Sequence, residues 1–368
     1  MNNIRHSSSH RPVALLALCA TAFVAFAGCG KVGSQGFLGD ESGDGSTKKA
    51  SSSSGKYIYV LNGACYAGGA TVTPGYGTVA KYSLATGALV GVLADYNSFS
   101  PGDLPVGIGQ FDTTANGTLL VGVENAAGRR VDLVNKVGGG INTFLTNANI
   151  NGALRSLTFL GDGGILLSKS SAFEKFSSAR IRITQGVNPY VSAPAGACST
   201  STTLMSASIE LPGGKLVLAH AAATPNNKLM MVSAGGYAVA GDCLTTVAAP
   251  ITTSLPSALL QHSSGKLIAA WGSSTLSSNL ITGYDVTPAS STINGAVSAY
   301  TNTAVINGPS ALAEDVSTGT VYVANGVYSN IEKFSFDSSS KTLTRVGNTP
   351  FIPSSVYTKC ISGMVVGD

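Results

Sequence analysis

The chain has 368 residues, of which 11% are charged and 7% aromatic, with 45 glycines and a formal net charge of +4. So sparse a charge excludes the basic footprint of a nucleic-acid-binding protein, and no cofactor-binding motif is present. The length fits two domains or one closed all-β array; removing a leader that carries Arg5 and Arg11 would bring the charge to about +2.

Residues 1–28 read as that leader. Arg5 and Arg11 lie in a polar segment, and Val13 to Ala27 form an apolar core of about 15 residues, too short to span a bilayer roughly 30 Å thick. Phe26-Ala27-Gly28-Cys29 then resembles the bacterial lipobox, with Phe26 where Leu is usual. The resemblance implies acylation of Cys29 as the new N-terminus, and several acyl chains on one residue hold a protein stably to a membrane. Gly30 is not the Asp that retains such proteins at the inner membrane, so the outer membrane is the implied address and its lipid the first partner. The plainer alternative is secretion with cleavage near Ala27.

Residues 29–55 read as a Gly/Ser linker with almost nothing to bury, a flexible tether with a reach of roughly 25–30 Å. Asp40-Glu41-Ser42-Gly43-Asp44-Gly45 imitates the start of an EF-hand loop, but its twelfth position is Ser51, which cannot supply the bidentate carboxylate.

From residue 56 to 368 a two-run pattern recurs. Leu255-Pro256-Ser257-Ala258-Leu259-Leu260, a polar turn, then Gly265-Lys266-Leu267-Ile268-Ala269-Ala270 is its clearest example. Gly308-Pro309-Ser310-Ala311-Leu312 followed by Gly319-Thr320-Val321-Tyr322-Val323-Ala324 is the next. The Gly-led second run occurs at Gly55, Gly117, Gly164, Gly214, Gly265 and Gly319, at spacings of 47 to 62 residues. The first run occurs at Pro105–Ile108, Leu154–Leu157, Leu204–Ala207, Pro256, Pro309 and finally Ile361–Val366. Third strands are predicted at Val79–Leu84, Val131–Val134, Ile181–Ile183, Leu229–Val232, Leu280–Asp285 and Ile331–Phe336 from their period-2 alternation, and weaker fourth strands follow turns such as Ala85-Thr86-Gly87. Strands and turns repeating near 50 residues point to propeller blades. The fold class is therefore all-β, a six-bladed β-propeller of four-stranded blades. The chain opens on a second-type strand and ends on a first-type strand, so pairing Ile361–Val366 with Tyr57–Val60 closes the ring and removes the exposed edges.

Tyr57-Ile58-Tyr59-Val60-Leu61-Asn62 and Val321-Tyr322-Val323-Ala324-Asn325 resemble the YVTN and NHL-type propeller repeats over residues 56–368. The resemblance implies the architecture and little about activity, because propellers host many unrelated functions. In six-bladed hydrolases of the gluconolactonase and paraoxonase type, carboxylates and Asn on the inner strands hold a metal at the axis. The matching positions here are Gly107, Ser156, Ser206, Ser257, Ser310 and Ser362, with Arg155 as a charged neighbour. Neutral serines do not make a Ca²⁺ site, so no metal is expected, and small residues suit a place where six strands converge.

His220 ends a Gly-led strand and His262 sits in a turn, neither with a carboxylate at a spacing that suggests a triad. Gly-x-Ser-x-Gly, HExxH and the P-loop are absent, and Ser263-Ser264-Gly265-Lys266 matches Ser-x-x-Lys only as a repeat turn that recurs at Ser53 to Lys56. Trp271, the single tryptophan, ends the fifth Gly-led strand. With His220, Glu124 and Asp103 it is a candidate for a ligand-binding face, or it is buried between blades. Cys65, Cys198, Cys243 and Cys360 are an even set in an exported chain. Three pairings exist, and ring closure favours Cys65–Cys360 with Cys198–Cys243.

Three functions follow. The first is a lipid-anchored, non-catalytic, monomeric propeller presenting one face to an envelope protein or glycan. The second is a propeller hydrolase or lactonase with a loop-built site drawing on Asp95, Asp103, Glu124 and Lys169. The third is a structural protein of an envelope layer.

Overall fold

In the computed structural model the described residues are 56–63, 77–96, 103–111, 116–125, 128–146, 150, 154–169, 173–185, 188–189, 204–221, 227–233, 243–251, 254–272 and 279–368. The leader with Cys29, the linker and its EF-hand-like stretch, Cys65 and Cys198 lie outside them.

The first blade holds β1 (Tyr57–Asn62), β2 (Thr78–Ser83) and β3 (Leu89–Asp95). The second holds β4 (Leu104–Gln110), β5 (Thr118–Asn125), β6 (Gly128–Asn135) and β7 (Ile141–Leu145). The third has β8 (Leu154–Phe159), β9 (Ile165–Lys169), β10 (Phe173–Phe176), β11 (Arg182–Gln185) and β12 (Asn188–Pro189). The fourth has β13 (Leu204–Glu210), β14 (Leu216–Ala221), β15 (Lys228–Val232) and β16 (Cys243–Ala248). β17 (Leu255–Gln261), β18 (Leu267–Gly272), β19 (Leu280–Thr287) and β20 (Thr292–Tyr300) make the fifth. The sixth is β21 (Pro309–Asp315), β22 (Thr320–Asn325), β23 (Asn330–Asp337) and β24 (Thr342–Arg345), and β25 (Ile361–Gly367) ends the chain.

Five sheets have four strands and one has five, all antiparallel meanders. β25 joins the first sheet beside β1, with Tyr57 opposite Gly367 and Val60 opposite Met364. The ring is thus closed by its two ends, as expected from the offset of the repeats. Inside each blade the burial pattern grades outward. The second strands are covered on both faces, as in β14 with all six residues buried, and therefore read as continuous apolar runs. The fourth strands are half exposed, as in β20. Successive side chains of a strand point to opposite faces, so each second strand feeds two inter-blade cores. Ile58 and Val60 pack against the sixth blade, while Tyr59 and Leu61 pack against the second. Six such clusters account for six blade interfaces.

One polar device recurs where a second strand ends. Asn62 donates to the Val356 carbonyl at 2.8 Å and accepts from the Cys360 N–H at 2.9 Å. Asn325 donates to the Val305 carbonyl at 2.8 Å and accepts from the Asn307 N–H at 3.1 Å. Asn125 donates to Asp103 at 2.5 Å. In the first and sixth blades the asparagine clasps backbone of the segment that leads into that blade's own inner strand, where those groups have no strand partner, and in the second it holds that segment through the Asp103 side chain.

The third blade differs from expectation. Its third strand is β10, and the predicted Ile181–Ile183 segment lies on the fourth strand, β11, with Ile181 67% exposed. Phe173 and Phe176 are buried, but Glu174 between them is buried too, facing Arg182 at 3.6 Å. Phe-Glu-Lys-Phe is not a period-2 signal, whereas the exposed Ile-Arg-Ile is.

Candidate functional site

The inner strands β25, β4, β8, β13, β17 and β21 surround an axial cavity of about 540 Å³. Each of the six carries a β-bulge at the same level. The bulged residues are Val106, Arg155, Ser206, Ser257, Ser310 and Ser362. A bulge leaves one residue outside the ladder and re-aims its side chain. The expected ring is thereby corrected at two places: the residues equivalent to the serines are Val106, not Gly107, and Arg155, not Ser156. Arg155 is therefore a member of the axial ring and, among the described residues, its one charged wall residue.

The bulges also explain how inner strands of different blades hold together without a shared ladder. Ser206 donates to the Pro256 carbonyl, Ser257 to that of Pro309 at 2.5 Å, and Ser362 to that of Pro105 at 3.5 Å. In every case the acceptor is the residue just before the next blade's bulge. The Ser310 and Ser156 hydroxyls have no partner.

Below the bulges lies a layer of small residues, Gly107, Ser156, Ala207, Ala258, Ala311 and Gly363. A Cβ on Gly107 would stand 3.0 Å from Ser156 Cα, and one on Gly363 would stand 2.7 Å from the Ile108 side chain, so convergence of the strands does require small residues. The third layer is Ile108, Leu157, Ser208, Leu259, Leu312 and Met364. It is aliphatic except for Ser208, whose hydroxyl meets Thr158 Oγ1 at 2.7 Å. The cavity thus runs from hydroxyls and a guanidinium at one level to hydrocarbon at another.

The sequence-predicted ligand-face residues are not brought together. Trp271 is fully buried between the fourth and fifth blades, beside Tyr284, Leu280 and Met231. It faces no solvent, because β18 is a second strand covered on both sides. Burial pushes the neighbouring Tyr284 hydroxyl up to about 12, against the opposite pull of Thr282 and Trp271. His220 is buried in β14, opposite Lys228. Asp103 is fully buried and is held by Arg130 and Asn125, and Arg130 also donates to Asp132 at 2.9 Å. Burial raises the Asp132 carboxyl despite Arg130. Glu124 pairs with Arg129 at 3.4 Å, and Asp95 lies exposed on the outermost strand β3. None of Asp95, Asp103 and Glu124 lines the cavity; the Lys169 side chain lies outside the described residues.

A carboxylate for His262 does exist, on the next blade. His262 Nε2 lies 3.1 Å from the Gly319 carbonyl and 3.3 Å from Glu314, and Nδ1 lies 2.8 Å from Ser264 Oγ. Two acceptors on Nε2 fix the N–H there and leave Nδ1 to accept. Glu314 also takes the Ser263 N–H at 2.9 Å and its hydroxyl at 2.6 Å. The group locks the β17–β18 turn onto the sixth blade.

No protein-family model matches the chain, and no curated protein matches its sequence. Among solved structures it is similar to one of a nidogen/laminin complex, with TM-score 0.57 and 11% identity over 85% of this chain and 99% of that one. It is also similar to a putative 6-phosphogluconolactonase from Bacteroides fragilis, with TM-score 0.51 and 13% identity over 87% and 100%. A Lactobacillus plantarum protein is similar at TM-score 0.50 and 13% identity, over 80% and 82%. The chain is a six-bladed β-propeller. At such identities the likeness is one of fold, and propeller chemistry has to be argued from the site.

Cys243 begins β16 and Cys360 is buried just before β25. Their expected partners, Cys198 and Cys65, lie outside the described residues.

Proposed function

We propose that this propeller is a non-catalytic binding protein of the bacterial envelope, tethered to the outer membrane through acylated Cys29, and that its axial cavity is the ligand seat. One observation carries the reading: the cavity wall offers hydroxyls, one guanidinium and aliphatic surface, a donor set for holding a ligand. The sequence leaves protein and glycan open as partners. A cavity of about 540 Å³ favours a small molecule, or the end of a chain, at the axis. The terminal Asn of the YVTN-like segments fits this reading as an architectural residue, because Asn62 and Asn325 clasp backbone.

Two parts of the reading concern the ends of the ring. Cys65–Cys360 is the proposed closing bridge. Its support is the Gly63 N–H, which donates to the Cys360 carbonyl at 2.8 Å and sets the chain two residues before Cys65 alongside Cys360. Cys198–Cys243 is the remaining pair. The alternative, a propeller lactonase, draws on the fold likeness to the putative 6-phosphogluconolactonase. Full-length protein assayed with sugar lactones, with and without added Ca²⁺ or Mg²⁺, should show no turnover above background. Turnover that scales with protein would overturn the binding reading. A Cys29→Ala chain should leave the membrane fraction; if it stays, the anchor is wrong.

A further inference from the structure

We propose that β3, the outermost strand of the first blade, rests on the surface of the lipid bilayer to which the tether holds the chain. This rests on the anchor reading above and names the face that meets the membrane.

β3 is built unlike the other outer strands. Its Leu89, Val90 and Val92 are 46%, 55% and 37% exposed, and among the described residues no other strand exposes more than one large apolar side chain. Val137 of the β6–β7 turn is exposed too. It extends the patch, because Gly139, two residues on, is pressed so closely against the Leu93 carbonyl that no Cβ would fit. A Cβ on Gly91 would meet nothing within 4 Å, so the ground along the strand is open. Residues 84–93 and 137–140 carry no charge. Single exposed apolar residues are ordinary, whereas a contiguous group marks a surface that meets a partner or a membrane.

The place where the chain enters the propeller selects the membrane. Lys56 is the first described residue. Its carbonyl accepts from the Leu84 N–H at 3.0 Å, and the Ser83 N–H donates to the Ala88 carbonyl at 2.8 Å. Tyr57 stands opposite Ser83, so the tether joins the propeller two strand spacings, roughly 10 Å, from the start of β3. A tether reaching roughly 25–30 Å from an acylated Cys29 brings this edge within reach of the lipid.

The backbone of β3 disfavours a protein strand in the same place. Two β-bulges, at Val90 and Leu93, interrupt its pairing with β2, so its outer N–H and C=O groups do not form the regular row that another strand needs. A bilayer interface needs no such row: headgroups and water solvate the backbone while apolar side chains enter the boundary with the acyl chains. Four half-covered side chains also fall short of the roughly 800 Å² per partner that a stable protein interface buries. Against a membrane to which the chain is already tied so small a patch suffices, because the tether sets an effective concentration on the order of millimolar.

The test is hydrogen exchange, read by mass spectrometry, on the full-length acylated protein in vesicles of phosphatidylethanolamine and phosphatidylglycerol, beside the Cys29→Ala chain with the same vesicles. Amides of residues 84–93 should exchange about three-fold or more slowly in the anchored protein than in the Cys29→Ala chain. Those of residues 325–330, where Val327 is equally exposed in the β22–β23 turn, should exchange alike in both. Val90→Ser combined with Val92→Ser should abolish the difference and leave the protein in the vesicle fraction. If that variant does not fold, the contrast between the two segments of the wild type still decides. Equal exchange at 84–93 in the anchored and free chains, or equal slowing at 325–330, would overturn the patch while leaving the anchor. Slowing in the Cys29→Ala chain that grows with protein concentration would place a second copy on β3 and overturn the bilayer as its partner. A mature chain without an acyl group on Cys29 would remove the anchor reading, and this inference with it.

Discussion

Deleting Ile361 to Asp368 should cost this ring most of its stability. Ile361 and Met364 are 3% and 5% exposed and belong to the core between the first and sixth blades. Burying two such side chains is worth about 3–6 kcal/mol together. The β25–β1 ladder adds hydrogen bonds of about 0.5–1.5 kcal/mol net each, and deletion turns β1 into an open edge. Folded domains have only about 5–15 kcal/mol in total, so the truncated chain should aggregate or lose cooperative unfolding. The milder Ile361→Ala should cost about 2–5 kcal/mol. The assay is urea unfolding followed by far-UV circular dichroism and by Trp271 fluorescence. Trp271 is fully buried between the fourth and fifth blades, across the ring from the closure. If the ring is one cooperative unit, Ile361→Ala lowers both midpoints equally. A truncated chain with the full chain's midpoint, or a Trp271 transition unmoved while circular dichroism shifts, would refute closure and indicate independent blades.

Other outcomes follow from single contacts. Gly363→Val should be far worse than Ala311→Gly in thermal unfolding, because a Cβ at 363 meets Ile108 at 2.7 Å; equal melting temperatures would mean the strands do not converge there. Burial alone would raise the Asp315 carboxyl, but Lys56 at 2.9 Å, Ser317 and Thr318 outweigh it and hold it below the usual range. A carboxyl lower in the folded state than in the unfolded one stabilises above about pH 4 and loses that contribution as pH falls through its folded value. Asp315→Asn should therefore lower stability at pH 7 and flatten its decline in acid. An unchanged acid limb would contradict the pair. Peptide mapping without reduction should join Cys65 to Cys360 and Cys198 to Cys243, and any other pairing would displace the proposed bridge from the closure.

Much of this fold is legible because a propeller writes its layers into hydropathy. Second strands such as Leu216–Ala221 are covered twice and read as unbroken apolar runs, and turns from an inner to a second strand carry glycines such as Gly265, at φ +82°. The third blade is less legible because Glu174 is buried facing a half-buried Arg182, and hydropathy scores such a pair as surface. The site itself was half legible. Small residues at the axis follow from the repeat alignment, but a bulge shifts the aligned residue by one without leaving a trace in composition, so Arg155 appeared as a neighbour of the ring. Asp103 and Glu124 resemble free acids because Arg130 reaches the first from two strands away and Arg129 the second across the β5–β6 hairpin. His262 looked alone because Glu314 comes from the next blade.

The ring, its closing strand and its proposed ligand seat meet at Met364, which lines the cavity on β25, whereas Met230 and Met231 are fully buried in the fourth blade. Carbon-13 methyl spectra of methionine-labelled protein, titrated with benzene as a probe of apolar cavities, test all three together. The Met364 methyl should shift saturably, while those of Met230 and Met231 stay in place. A Met364 resonance unmoved at saturating benzene, or equal shifts at all three, would contradict a ligand seat at the axis.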